Sequence, residues 1–253
     1  MSRPGKPVPA RGARGRVPGL PDDAPARLAQ ALSALGLTLP PSREPMLLAH
    51  LALLARWNAT HNLTAVRDPA EMLVQHCFDC LAIVPPLRDA ARMGRDHLAD
   101  GAVVLDVGSG GALPGAVLAI CAPGVQVHCV DAVAKKAAFI RQLRAELGLA
   151  NLHAHHARLT AEGERGQPVI AVPPVTLAVS RAFGSLADFI RLSLPLMADT
   201  GVWVAMKGLM PDDELRELPQ GVNVSAAITL AVPQMHARRH LLLLERRGAP
   251  AAA

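Results

Sequence analysis

Val103-Val104-Leu105-Asp106-Val107-Gly108-Ser109-Gly110-Gly111-Ala112-Leu113-Pro114-Gly115 passes from an aliphatic, β-branched run straight into glycines. Pro114 then opens an apolar segment able to form a helix. The run reads as a buried parallel strand, the glycines as a tight turn, and Pro114 as a first helical position. Glycine is needed where the backbone takes positive φ or comes close to a ligand. A helix N-terminus behind it adds oriented N–H groups. The turn is therefore a candidate binding edge for a nucleotide-like ligand.

Spacing narrows that ligand. A dinucleotide fingerprint on Gly108 and Gly110 would place a third small residue at 113, where this chain has Leu113. The glycines fall instead at 108, 110, 111 and 115, with Asp106 two positions before the first. That pattern resembles the first motif of the class I methyltransferases, which use S-adenosylmethionine. The next apolar run, Val125 to Asp131, ends in an acid about 20 residues on, the usual place for a carboxylate that accepts ribose hydroxyls. A plain helix cap is the other reading of Asp131. An adenosine-containing ligand is expected, with Asp106, Gly108, Gly110 and Asp131 as its candidate contacts.

At 253 residues the chain holds one substantial α/β domain and a smaller appendage, and its 51% hydrophobic content suffices for a full core. No apolar run reaches the 18 or more residues that span a bilayer. Residues 1 to 20 lack the apolar centre of a secretory signal, so a cytoplasmic protein is expected. A net charge of +5 favours a polyanionic partner. With no tyrosine and only 2% aromatic residues, nucleic-acid binding must rest mainly on Arg and Lys. Cys77 and Cys80 have C-x-x-C spacing after His76, but Cys121 and Cys129 complete no four-cysteine framework. All four are expected as reduced, packed thiols, with no metal.

In chain order, residues 1–23 read as a flexible basic tail carrying Arg3, Lys6, Arg11, Arg14 and Arg16. Residues 24–90 read as a helical module. Leu28, Leu32 and Leu35 recur at helical spacing until Gly36, and Ser42 is placed to cap a second helix through Trp57. Asp68-Pro69-Ala70-Glu71 opens a third helix, expected to run to Ile83 and stop at Pro85-Pro86. Residues 91–247 then alternate. Strands are expected at 103–107, 125–131, 151–157, 175–181 and 201–206, with helices at 114–121, 134–147 and 184–197. The runs Val224 to Val232 and Arg239 to Arg246 are joined too closely for a parallel crossover and must pair antiparallel. The expectation is a seven-stranded, mostly parallel Rossmann-like α/β sheet with a terminal antiparallel hairpin, the class I methyltransferase layout. Residues 248–253 are expected to be a disordered end.

Several further strings occur together. They are Arg56-Trp57-Asn58, Asn62-Leu63-Thr64-Ala65-Val66-Arg67-Asp68-Pro69, His76 with Asp79, Lys135-Lys136 with Phe139-Ile140, Ser180-Arg181-Ala182-Phe183, and Lys207-Gly208. In order and spacing they resemble the ribosomal small-subunit methyltransferase G family, also called glucose-inhibited division protein B. The likeness runs from about residue 24 to 247. The Asn-Leu-Thr and Ser-Arg-Ala strings carry the specificity; the glycine turn does not. This resemblance implies methyl transfer from S-adenosylmethionine to N7 of guanine 527 in 16S rRNA. The expected partner is 16S rRNA or a small-subunit precursor, the sequence leaving naked RNA, precursor and finished subunit open, and a monomer is expected. It places Gly108 and Leu113 at the cofactor loop, Leu159 and Thr160 beside the adenine, and Arg181 at the active-site rim. Where the family usually has an acid, this chain has Thr160, with Glu162 two residues on, so that contact is expected through backbone.

Guanine N7 offers a lone pair in the major groove and carries no proton. Methylating it is an in-line displacement that needs alignment and exclusion of water, not a general base. Enzymes that methylate exocyclic amines carry Asn/Asp-Pro-Pro-aromatic after the fourth strand; this chain has Ser180-Arg181-Ala182-Phe183 there. Arg181 sits where doubly wound sheets bind ligands. It is a candidate for guanine O6, phosphate or the methionine carboxylate, with a structural salt bridge as the other reading. His76 and Asp79, at i and i+3, can face one pocket as catalytic candidates or tie their helix to the sheet. Asn58 and Asn62 are candidates for organising a turn first and touching RNA second. Lys207 either binds phosphate or is solvated. Rival functions are an RNA-binding assembly factor that keeps the fold, and a small-molecule methyltransferase. No role is read for His153, His155 and His156.

Overall fold

A computed structural model of the chain describes residues 19–160 and 170–248. The basic residues expected in the tail (Arg3 to Arg16), Glu162, and residues 249–253 lie outside the described residues. Leu20 is already buried, so the anchored chain begins before the expected tail boundary at 23.

Among the described residues, seven strands form one sheet in the order β3-β2-β1-β4-β5-β7-β6. They are β1 (Val103–Val107), β2 (Gln126–Asp131), β3 (Leu152–His156), β4 (Val175–Arg181), β5 (Met197–Lys207), β6 (Val222–Leu230) and β7 (Arg239–Arg246). The first five run parallel, and β7 runs antiparallel to both β5 and β6. The expected mostly parallel sheet with a terminal antiparallel hairpin is what the chain adopts, with β5 starting four residues earlier than expected and β6 shifted by two.

The period of two along each strand divides the core. Val104, Val127, Cys129, Leu177, Val204 and Leu243 face one hydrophobic cluster; Val103, Leu105, Ala178, Trp203 and Leu242 face the other. β1 is buried at every position because both faces are covered. On the first face lie α7 (Gly115–Cys121) and α8 (Ala134–Leu147). The same cluster takes in Leu28 of α1 (Ala24–Ala34) and Leu47, Leu51 and Leu54 of α2 (Arg43–His61). On the second face α9 (Leu186–Ser193) packs Phe189 and Ile190. There Trp203 Nε1 donates to Ser193 Oγ at 2.9 Å, so the one polar atom of this buried ring is satisfied.

The third helix departs from expectation. Asp68 caps it as read, accepting from Ala70 N at 2.6 Å and Glu71 N at 3.2 Å. After α3 (Pro69–Met72), however, the backbone widens into a π-helical segment (Leu73–Phe78) before α4 (Asp79–Leu81). The chain does not stop at the prolines. Pro85 and Pro86 sit in the first turn of α5 (Val84–Arg88), where a missing N–H costs nothing, and α6 (Ala90–Met93) follows. Ser42 makes no side-chain capping bond. The helix after the glycine turn starts at Gly115, one residue later than expected, with Pro114 as its N-cap and the unpaired Gly115 amide taken by Asp106.

Candidate active site

Two carboxylates hold the glycine turn. From beneath, Asp106 Oδ2 accepts from Gly115 N at 2.9 Å. A side chain at Gly115 would begin 2.5 Å from Cys129 Sγ and 2.7 Å from Asp106 Oδ2, so only glycine fits. From the side, Asp131 Oδ2 accepts from Gly110 N at 3.0 Å and lies 3.5 Å from Lys136 Nζ, while Oδ1 accepts from Val133 N at 2.9 Å. Gly108 and Gly110 take φ of +72° and +56°, conformations that glycine adopts without strain. A third support was not read from the sequence. His50, buried on α2, donates from Nε2 to Gly111 O at 2.8 Å. As a lone histidine in an apolar run, between Ala49 and Leu51, it gives no local signal of that role.

Asp106 is fully buried, and its Oδ1 has no partner among the described residues. Burial pushes its carboxyl up to about 7, against the opposing pull of the Gly115 amide. Burial likewise pushes His50 down to about 4.

The turn forms one wall of a cavity of about 490 Å³ at the carboxyl edge of the sheet. Gly108, Asp131, Leu159 and Thr160 line it, together with Lys136, Arg158 and Phe183. Four of the expected cofactor residues thus come together. Asp106 and Leu113 do not join them: both are buried under the turn, where they shape it without facing the space. Gly110 acts through its amide on Asp131.

Arg181, His76 and Asp79 form a second cluster. Arg181 Nη1 donates to Gln75 O at 2.9 Å, to His76 Nδ1 at 3.3 Å and to Asp79 Oδ2 at 3.5 Å. Asp79 Oδ1 accepts from Arg239 Nε at 3.2 Å, a partner 160 residues along the same chain with no sequence signal. Because Arg181 can only donate, His76 Nδ1 accepts, and the ring proton sits on Nε2, 2.8 Å from Thr64 Oγ1. Burial, with Arg181 beside it, pushes His76 down to about 4, so the ring is neutral at pH 7. Burial raises Asp79 from the usual carboxylate range, opposed by the two arginines. The helix-to-sheet tie weighed for these residues is present.

The expected substrate residues are placed differently. Asn58 is 2% exposed, with Oδ1 accepting from Thr64 N and Nδ2 donating to Val66 O. It organises the 62–67 turn, the first of its two readings, and its burial leaves the second, contact with RNA, no exposed surface. Asn62 is exposed at φ +49°, ending α2 and accepting from Arg67 Nη2 at 2.8 Å. Lys207 is neither solvated nor free: Nζ reaches both Glu214 carboxylate oxygens at 2.8 Å, and Glu214 also accepts from Leu186 N. On the neighbouring edge, His128 meets His155 at 3.0 Å and stacks on His153. All four cysteines are buried free thiols, and no group of three or more His, Cys, Asp or Glu among the described residues is placed to hold a metal. No described helix is long and apolar enough to cross a membrane.

The family model described as rRNA small subunit methyltransferase G matches residues 43–242. A curated relative from Acidovorax sp. (strain JS42) is 50% identical over 220 residues, covering 86% of this chain and 93% of its own. One from Burkholderia cenocepacia (strain HI2424) is 50% identical over 215 residues, covering 85% and 89%. One from Methylibium petroleiphilum is 45% identical over 221 residues, covering 87% and 94%. All three are named ribosomal RNA small subunit methyltransferase G.

Proposed function

This chain belongs to the rRNA small subunit methyltransferase G family, and on that premise we propose that it methylates N7 of guanine 527 in 16S rRNA from S-adenosylmethionine. Membership carries the coarser statement, that the chain is a methyltransferase of small-subunit rRNA. The base, the atom and the donor are what the chemistry of the site supports.

The residues fit the donor. Only glycine is tolerated at Gly115, and the turn it closes presents Gly108 to the cavity with no side chain in the way. In this reading Asp131 accepts the ribose hydroxyls, Leu159 flanks the adenine, and Thr160 meets it through backbone. S-adenosylmethionine, when bound, supplies an electrophilic methyl group on a sulfonium.

One observation carries the choice of N7. Among the described residues lining the cavity, the titratable side chains are Asp131, Lys136 and Arg158, and both Asp131 oxygens already hold backbone amides. Nearby, His76 is neutral with its lone pair turned to Arg181. Among the described residues lining the cavity, no ionisable side chain lacks a backbone partner except the cations Lys136 and Arg158, and N7 has no proton to remove. What the chain supplies is orientation. Arg181, fixed by Gln75, His76 and Asp79, keeps a guanidinium at the end of β4, where it can meet guanine O6 or a phosphate. We assign no second subunit to the reaction.

The test is cleavage of 16S rRNA with borohydride and aniline, which breaks the chain at 7-methylguanosine. RNA from a strain lacking this protein is expected to lose the primer-extension stop at guanine 527 and to regain it on complementation. An unchanged stop in the deletion strain overturns the reading.

A further inference from the structure

The chain has six Phe and Trp side chains and no tyrosine. Phe78, Phe139, Phe189 and Trp203 are fully buried. Trp57 packs on α2 against Phe139 and His61, away from the cavity. That leaves Phe183, the one aromatic among the described residues that line the cavity, and its side chain is part exposed.

Its setting is unusual. Phe183 follows Arg181 at the carboxyl end of β4, on an arch of two exposed small residues. Ala182 holds φ +56°, a region that costs a residue with a side chain, and Gly184 has open space where a Cβ would be. The left-handed residue separates the two neighbours: Arg181 reaches to Gln75 and Asp79, while the Phe183 ring lies over the glycine turn. The ring's Cδ2 is 2.9 Å from where a Cβ on Gly108 would stand, so glycine there gives the ring its seat. Phe189 braces it at 6.2 Å with a 56° tilt. One edge of the ring is thus held against the protein and the rest borders the cavity.

We propose that Phe183 is the platform on which the target guanine stacks once it has left the RNA, holding the base plane while Arg181 meets its edge. The proposal rests on the guanine-N7 reading above and adds the contact that fixes the plane. A base taken out of its stack needs a new stacking surface, and every purine has a π-face to offer. An N7 lone pair lies in the plane of the ring, so in-line attack depends on how that plane is held. A chain this poor in aromatics keeps one at the site, on an arch with room to adjust.

The experiment uses the full chain as wild type and as Phe183→Leu, Phe183→Ala, Phe183→Tyr and Phe183→Trp. The substrate is small ribosomal subunits from a strain lacking the enzyme. Transfer of labelled methyl is measured alongside melting temperature and S-adenosylmethionine affinity by calorimetry. Phe183→Leu fills the seat over Gly108 without a π-face, so it is expected to lose about 10–100-fold in kcat/KM, as is Phe183→Ala. Phe183→Tyr and Phe183→Trp are expected to keep most of the activity. Cofactor affinity is expected to stay unchanged throughout. Leucine performing as well as phenylalanine, or activity falling in step with cofactor affinity or with melting, overturns the platform. Digestion of the wild-type product to nucleosides tests the underlying reading separately. A methylated nucleoside other than 7-methylguanosine refutes the N7 reading, while the ranking of aromatic over aliphatic side chains still decides Phe183.

Discussion

The two halves of the site are built by opposite means. The glycine-turn half, from Asp106 to Asp131, is held by backbone amides on two carboxylates that lie within about one βαβ unit of each other. The arginine half is held by side chains from far-apart segments. Arg181 reaches residues 75, 76 and 79, and Arg239 comes from the last strand to the same Asp79. The first is a rigid cradle made by local geometry; the second is a charge cluster made by the tertiary fold. The cradle should therefore fail by steric change, and the cluster by loss of function ahead of loss of fold.

The largest effect is expected in the cradle. Gly115→Ala drives a methyl group into Cys129 and Asp106, neither of which can withdraw. It should cost about 3 kcal/mol or more and abolish cofactor binding, read by melting and calorimetry. A variant that melts like wild type would remove the steric argument. In the cluster, Arg181→Ala should lower methylation far more than it lowers stability, which should fall by about 1–3 kcal/mol as Asp79 and His76 lose a partner. If melting collapses while the remaining folded enzyme turns over normally, Arg181 is only structural and the contrast between the halves disappears.

Asp131→Ala sits between these. It should weaken S-adenosylmethionine binding by about 1–3 kcal/mol in calorimetry, and unchanged affinity would take Asp131 out of the cofactor site. Asp106 sharpens the comparison through pH. Its folded carboxyl titrates at about 7, raised by burial above the ordinary 3.8. A raised acid makes the folded state hold its proton longer, so its contribution is full below about 4 and is lost as pH rises through 7. Asp106→Asn keeps an acceptor for the Gly115 amide and removes that titration. Relative to wild type, the variant should gain more melting temperature at pH 8 than at pH 4. An equal difference at both pH values would contradict the buried carboxyl. The smallest effect is expected at Lys207, whose ammonium is paired with Glu214. Lys207→Gln should cost about 1 kcal/mol and leave the salt dependence of RNA binding unchanged. A drop of about one in the salt slope would instead mark Lys207 as a phosphate contact.

The same contrast explains what could be read in advance. β1, the glycine turn and the acid ending β2 are local, so strand runs and glycine spacing placed Gly108 and Asp131 on the cavity wall. The short link before β7 was enough to require its antiparallel pairing with β6, whereas the order of the strands across the sheet came from the fold itself. Arg239 on Asp79 and His50 on Gly111 join residues 160 and 61 positions apart, and neither leaves a mark in its own neighbourhood. The π-helical segment was missed because apolar spacing through Leu73 to Phe78 reads as ordinary helix. Asn58 was read as organising a turn before touching RNA, and Lys207 as a phosphate-binding or solvated group. Folding gave each an internal partner first.

The most direct measurement is a crystal structure of the full chain with S-adenosylhomocysteine. The account predicts the ribose hydroxyls on Asp131, the adenine against Leu159 and Thr160, and the sulfur directed toward Phe183 and Arg181. A ligand bound away from the Gly108 turn, or with Asp131 still facing only its own backbone amides, would contradict it.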